Sequence, residues 1–422
     1  MNDKKKIPPR LQLAPERMPR YWYNVTADMP VQPAPCRIDG RDAASDDFAR
    51  IYGPSLAAQE FLEERYLDIP AGLREMYLQR RPTTLLRAHA LEKELDTPAH
   101  IYLKFEESRP YGAANLPTLG AQLWFMREDG IRRVNVCLSD PGWACSAGYL
   151  AGRFGMSCVV YATEDQLRRF PTALVFLRAC GCELRTAEDS LAALREAGDS
   201  VGCLSQGFRA FSLMHQTLAG IEARTILEEI DEYPDMIVGT DDCGIGFAGI
   251  AFPFMQEKLA GRARTQFVMT ESTGCPICTK GVYAWDRDRD EPFLSRGYTL
   301  GADFPFVEGA VRRNCPPVLS ELVYGEVVEP VAIPVSEALD AAMLLARVEG
   351  ILPSTASALA VGQVIREAKV CRETETPRVI LASAGTGDFD LNDFAARQAG
   401  ADFLPDEKLE IKVAKAMAEL PR

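Results

Sequence analysis

The stretch IYLKFEESRPYGAANLPTLGAQLWFMREDGIRRVNVCL, residues 101–138, decides how the rest of the chain is read. It opens on a short apolar run (IYLKF), turns through Pro110 and Gly112, continues as NLPTLGAQLWFMREDG with apolar residues three and four apart, and returns to a second apolar run (VNVCL). Strand, helix and strand in that order form the unit of a parallel sheet, because a helical crossover carries the chain back to the edge where it started. The pattern then repeats as ACSAGYLAGRFG, CVVYA, QLRRFPTALVFLRACG and CELRTA. A second series runs DMIVGTDD, GIGFAGIAFPFMQEKLAG, QFVMTES, VAIPV, SEALDAAMLLARVEG and RVILASAG. These alternations predict an α/β fold in two lobes, with parallel sheets covered by helices and ligands at the lobe interface.

Upstream, residues 1–82 differ in character. The segment RYWYNVTADMPVQPAPC (20–36) is rich in Pro and aromatics, and LAAQEFLEERYLDI (56–69) and GLREMYLQR (72–80) carry helical spacing. This predicts an N-terminal arm with helices wrapping the body. No internal repeat or low-complexity linker interrupts the chain.

Composition narrows the function classes. Of 422 residues, 47% are hydrophobic and 25% charged, with 31 Gly and 28 Pro, so the chain buries a core and encloses a pocket instead of remaining disordered. Its 47 Lys+Arg against 60 Asp+Glu give a net charge of −13, which repels nucleic acid and anionic lipid. No apolar stretch of about 18 residues predicts a membrane span, and the start, MNDKKKIPPRLQL, has no apolar region behind its basic run; a cytoplasmic protein is expected. The 12 cysteines are scattered and read as reduced thiols, with the Cys275/Cys278 pair read as packing. With only 3 histidines (His89, His100, His215), a Ser-His-Asp or His-rich metal site is not expected.

The ordered phrases WYNVTADMP, QEFLEERYLDIP, RPTTLLRAHALEKELDTPAHIYLKFE, LMHQTLAGIEA, GFAGIAFPF, CPICTKGVYAWD, ARVEGILP and RVILASAGTGDFD resemble the long-chain second class of tryptophan synthase β chains, from about residue 20 to 395. The resemblance implies the fold-type-II architecture of pyridoxal-phosphate (PLP) enzymes. It implies an arm over 1–82 and two interleaved lobes over 83–422, the smaller about 118–212 and the larger about 83–117 plus 213–422. It also implies a homodimer.

Carried over residue by residue, the resemblance breaks at the site. The family's Schiff-base lysine lies in a G-S/A-H-K-x-N segment, and this chain reads Gly112-Ala113-Ala114-Asn115-Leu116-Pro117, so Asn115 stands where the lysine belongs. An amide forms no imine and is no proton-shuttling base. The family's phosphate turn G-G-G-S-N reads Asp241-Asp242-Cys243-Gly244-Ile245-Gly246, which puts two carboxylates where a dianion would sit. Its E-T-G-A-G-Q-W turn reads Cys137-Leu138-Ser139-Asp140-Pro141-Gly142-Trp143, losing the acid/base Glu and, at Pro141, one N–H donor. Its closing L-S-G reads Ser383-Ala384-Gly385, the pocket Glu and His of its E-G-I motif become Ala356 and Leu359, and Arg312 and Arg313 are new. Decay would erode framework and site alike; here the framework phrases persist while the cofactor contacts are rewritten.

The candidate catalytic groups are Asp140, Asp241 and Asp242 for acid–base work, and Cys145 and Cys137 as nucleophiles, Cys145 because a helix N-terminus lowers a thiol pKa. Asn115, Ser139, Trp143, Cys243, Gly244, Arg312 and Arg313 are the candidate substrate contacts. No PLP and no other cofactor are expected, and the acidic cleft leaves room for a divalent cation. Lys104 is the one lysine whose motif lies close to Asn115. The expected function is a repurposed, PLP-independent enzyme acting on a small metabolite. The alternatives are a non-catalytic paralogue paired with an active β chain or another enzyme, and a PLP-dependent lyase with an unusual anchor or a cofactor held without an imine.

Overall fold

The computed structural model describes residues 7–107, 112, 114–189, 191–240, 245–287, 291–301, 304, 312–386, 391–401 and 408–421. Its larger sheet runs, in spatial order, Arg10–Leu11, Leu85–Arg87, His100–Glu107, Val379–Thr386, Met236–Thr240, Gln266–Ser272 and Glu329–Ile333. The two outermost joints on the N-terminal side are antiparallel and the other four are parallel. Central position explains composition: every residue of Met236–Thr240 is buried, as a strand covered on both faces requires. The smaller sheet is wholly parallel, in the order Glu183–Thr186, Ser157–Ala162, Arg133–Cys137, Val201–Cys203.

The chain order places the crevice. Met236–Thr240 leads through the helix Ile245–Leu259 to Gln266–Ser272 on one side, whereas Val379–Thr386 returns much later to the other side, between it and His100–Glu107. In α/β sheets such a reversal marks the ligand crevice, at the carboxyl ends of the strands, and here the helices Leu116–Glu128 and Ile245–Leu259 begin beyond those ends. The close crossing of Ile245–Leu259 over Leu218–Glu229 depends on glycine. A Cβ on Gly220 would lie 2.7 Å from Gly249 O and 2.8 Å from Ile250 O, so any side chain there pushes the helices apart.

The arm packs mainly on the smaller sheet. Phe48, Tyr52, Leu56, Leu73 and Tyr77 from the helices Ser45–Tyr52, Pro54–Glu60 and Ala71–Tyr77 join Val134, Val136, Val159 and Val160 of that sheet in one apolar cluster. The helix expected over residues 56–69 stops at Glu60; Tyr66–Asp68 is instead a strand, paired antiparallel with Tyr21–Tyr23. Arg37–Ile38 and Arg41–Asp42 join the hairpin Val282–Arg287/Leu294–Thr299 in an antiparallel sheet, and Arg10–Leu11 edges the larger one. Among the described residues no helix is long and apolar enough to cross a membrane.

Candidate functional site

The helix Leu116–Glu128 starts at the carboxyl edge of the larger sheet, and its Pro117 is tolerated because first-turn N–H groups have no intrahelical acceptor. Asn115 is its N-cap, half-buried, and its side chain makes no cap bond. The preceding backbone is fastened on both sides. Ala114 N–H donates to Glu107 O at 3.0 Å, and Ala114 O accepts from Gln216 Nε2 at 2.7 Å. Gln216 Oε1 in turn accepts from Thr118 Oγ1 at 2.8 Å. Asn115 is thus held in position while its amide stays uncommitted to the helix.

The helix Pro141–Arg153 packs on Leu116–Glu128. Asp140 caps the helix Pro141–Arg153, one oxygen accepting from Trp143 N–H at 3.0 Å and the other from Gln206 Nε2 at 2.6 Å. Gln206 O then accepts from Arg312 Nη2 at 2.6 Å, and the Arg312 guanidinium lies over the Phe208 ring at 4.9 Å. Asp140 and Arg312 are therefore joined through one glutamine. Arg312 and Arg313 are only 8% and 7% exposed, and the Arg313 carbonyl accepts from Leu300 N–H at 2.9 Å. Cys137 ends the strand Arg133–Cys137 and Ser139 lies in the following turn, both half-buried.

Two expectations are corrected here. Cys145 is fully buried with its thiol donating to Ala173 O at 3.8 Å, and burial pushes its pKa up to about 12, aided by nearby Cys180, Cys182 and Asp140. It sits a full turn inside the helix among apolar neighbours, so the favourable end of the dipole is outweighed by desolvation and no nucleophilic thiolate forms. Trp143 is 2% exposed, its side chain belonging to the apolar cluster of the smaller sheet; what it gives the cleft is its backbone N–H on Asp140.

Lys104 is likewise engaged. Its ammonium donates to Glu222 Oε2 at 2.7 Å and Thr83 O at 2.8 Å, with both side chains fully buried, so it offers no free amine to the cleft. Asp241, Asp242, Cys243 and Gly244 lie outside the described residues, between Thr240 and Ile245. Among the described residues no group of three or more His, Cys, Asp or Glu side chains is placed to hold a metal ion. Gln206 and Gln216 were not foreseeable from residue type or spacing; Gln206 is 66 positions from the Asp140 it binds.

The model of the family described as pyridoxal-phosphate dependent enzyme matches residues 76–385. The tryptophan synthase beta chain of Pseudothermotoga lettingae is 32% identical, over 90% of this chain and 98% of its own length. That of Thermococcus onnurineus is also 32% identical, over 94% of this chain and 96% of its own. The crystal structure of a fungal L-serine ammonia-lyase from Rhizomucor miehei shares the fold at a TM-score of 0.58 and 17% identity, covering 76% of this chain and 98% of that one.

These matches overturn the expectation of no cofactor, because the matched family is one of pyridoxal-phosphate enzymes and the match runs through Asn115, Asp140 and the closing strand. One element suits the phosphate end of such a group, set against the two carboxylates, Asp241 and Asp242, that the sequence puts just before it. The 15-residue helix Ile245–Leu259 opens just beyond the central parallel strand, and the N–H groups and positive dipole end of such a helix favour an anion. A covalent link at position 115 does not fit, since the side chain there is an amide. The chain belongs to the pyridoxal-phosphate-dependent enzyme family, among the tryptophan synthase β chains.

Proposed function

We propose that this chain is a lyase-class enzyme that holds pyridoxal phosphate in the crevice through its phosphate and ring alone, without a covalent link at residue 115, and acts there on a small anionic metabolite. The observation that carries this reading is Asn115, fastened at the cleft end of a helix with its amide free of any cap bond, in a chain whose framework is that of the family. Bound there, the group supplies an electron sink for cleaving bonds next to a substrate nitrogen. Asn115 donates and accepts hydrogen bonds but cannot condense with a carbonyl. Asp140, with Asp241 and Asp242, supplies carboxylates for proton transfer, Arg312 and Arg313 supply positive charge for an anionic substrate, and Cys137, Ser139, Cys243 and Gly244 are the further substrate contacts of this reading. The working unit is taken to be a homodimer or a pair with a related β chain.

The test is to titrate the full chain with pyridoxal phosphate, follow visible absorption, then treat with borohydride and weigh the intact protein. The expected result is a saturable spectral change with no stoichiometric mass gain, and conversion by Asn115→Lys to an adduct on the peptide holding residue 115. Absence of a saturable signal would overturn cofactor binding. A stoichiometric adduct on the unsubstituted chain would overturn the non-covalent hold, and peptide mapping would name the lysine that carries it.

A further inference from the structure

Four thiols gather on one flank of the smaller sheet: Cys145 on the helix Pro141–Arg153, Cys158 on the strand Ser157–Ala162, and Cys180 and Cys182 between the helix Pro171–Ala179 and the strand Glu183–Thr186. All four are free. The parallel register sets Val159 opposite Glu183, so Cys158 and Cys182, one step back on each side, are lateral neighbours facing the same way. Neighbouring strands lie about 4.8 Å apart, within the roughly 4.4–6.8 Å between Cα atoms that a disulfide spans. The Cys158 and Cys182 thiols are close enough to shift each other's titration. On its other side the Cys182 sulfur rests against Gly148, where a Cβ would come within 2.4 Å of it, so the bare glycine is what admits the sulfur. Cys158 is 5% exposed and Cys182 half-buried at the edge of the sheet, so a small oxidant reaches Cys182 first.

We propose that Cys158 and Cys182 are a peroxide-responsive dithiol that closes to a disulfide across the edge of the smaller sheet. Cys182 attacks hydrogen peroxide: the S–O bond forms, the O–O bond breaks and one water leaves. Cys158 then attacks the sulfenic sulfur: the S–S bond forms, the S–O bond breaks and a second water leaves. Two thiols give up two electrons and the peroxide takes them; a small thiol reductant reverses the change. The division of roles follows from the contact. The neighbouring Cys158 thiol lowers the Cys182 pKa, whereas Cys182 and burial hold Cys158 well above its ordinary value. The thiolate therefore forms on Cys182, the less buried of the two, and Cys158 resolves it. Because the pair lies against the helix that Asp140 caps, closing it changes the support of one wall of the cleft.

The experiment exposes the full chain to limiting hydrogen peroxide, blocks remaining thiols with maleimide and maps peptides without reduction. A Cys158–Cys182 cross-link that dithiothreitol removes is the expected dominant product. Cys180→Ser should leave it in place, Cys182→Ser should abolish it and leave Cys158 reduced, and Cys158→Ser should leave Cys182 as a sulfenic acid trapped by dimedone. A dominant Cys180–Cys182 link, or complete maleimide labelling of Cys158 and Cys182 after other thiols have oxidised, would overturn the proposal. Should either serine variant of the pair fail to fold, the map of the unsubstituted chain and of Cys180→Ser decides alone.

Discussion

Asp140 divides its two oxygens between a helix and a neighbour: one caps the Trp143 N–H and the other holds Gln206, through which Arg312 is tied in. If the cap is what the fold needs, the acceptor matters and the charge does not. Asp140→Ala should then lower stability by about 1 kcal/mol, whereas Asp140→Asn, which keeps an oxygen for Trp143 N–H and lets the Gln206 amide turn over, should stay within about 0.5 kcal/mol of the original. Urea unfolding of both variants measures this, and equal losses in both would place the charge in control. The same scale explains Cys145: its sequence position near a helix start says nothing of what surrounds the sulfur, and the surroundings set its pKa.

At the scale of elements, the end of the arm, the strand His100–Glu107 and the helix Leu218–Glu229 meet in a buried network of two cations and two carboxylates. Arg81 donates to Glu222 Oε1 at 2.9 Å and to Glu106 Oε2 at 2.7 Å, while Lys104 donates to Glu222 Oε2 at 2.7 Å. Burial alone would raise the Glu222 pKa, but Arg81 and Lys104 outweigh it and hold the carboxyl low; burial lowers Lys104, against the opposing pull of Glu222. Glu222→Gln leaves two buried cations facing only Glu106 and should cost about 3–5 kcal/mol. Adding Lys104→Met restores the balance of charge, so the double variant should be more stable than Glu222→Gln alone; thermal or urea unfolding of the pair, read as a double-mutant cycle, checks it. Much at this scale is legible in sequence: IYLKF, LPTLGAQLWFMRE and VNVC fall within the strand His100–Glu107, the helix starting at Leu116 and the strand Arg133–Cys137, because each period is local, whereas the sheet each strand joins is not: these two strands lie in different sheets and do not form one strand–helix–strand unit. The run LAAQEFLEERYLDI suits a helix as far as Ile69, yet leaves it after Glu60 because Tyr66–Asp68 finds a strand partner in Tyr21–Tyr23, far away in the chain. The site divides in the same way. Asn115 is visible from its type and its motif, whereas Gln206 owes its place to segments that meet only in the folded chain.

At the scale of the whole molecule, one guanidinium ties the arm, the chain leaving the smaller sheet and the antiparallel hairpin together. Arg209, fully buried, faces Glu60 at 3.5 Å, Glu291 at 2.6 Å and the Cys36 sulfur at 3.1 Å, with Tyr52 nearby and the Phe48, Phe208 and Phe293 rings at 5.4, 5.0 and 5.2 Å. Two carboxylates share one cation. Burial, against Arg209 and with the help of Glu291, raises Glu60 from 4.5 to about 7. Between those values the folded chain keeps a proton that the unfolded chain has released. The contribution of Glu60 is therefore complete below about pH 4.5 and is lost as pH rises through about 7. His215 runs the other way: burial lowers it from 6.5 to about 3, so its contribution is complete above about pH 6.5 and lost as pH falls toward 3. Glu60→Gln keeps the shape and removes only the first titration, leaving His215 in both proteins. The variant should match the original near pH 4.5 and exceed it by about 1–3 kcal/mol at pH 8, where the original carries an ionised Glu60 beside Glu291. Urea unfolding at intervals from pH 5 to 8 gives the difference curve; a flat difference would mean that Glu60 ionises freely in the fold and that Arg209 holds both carboxylates without strain.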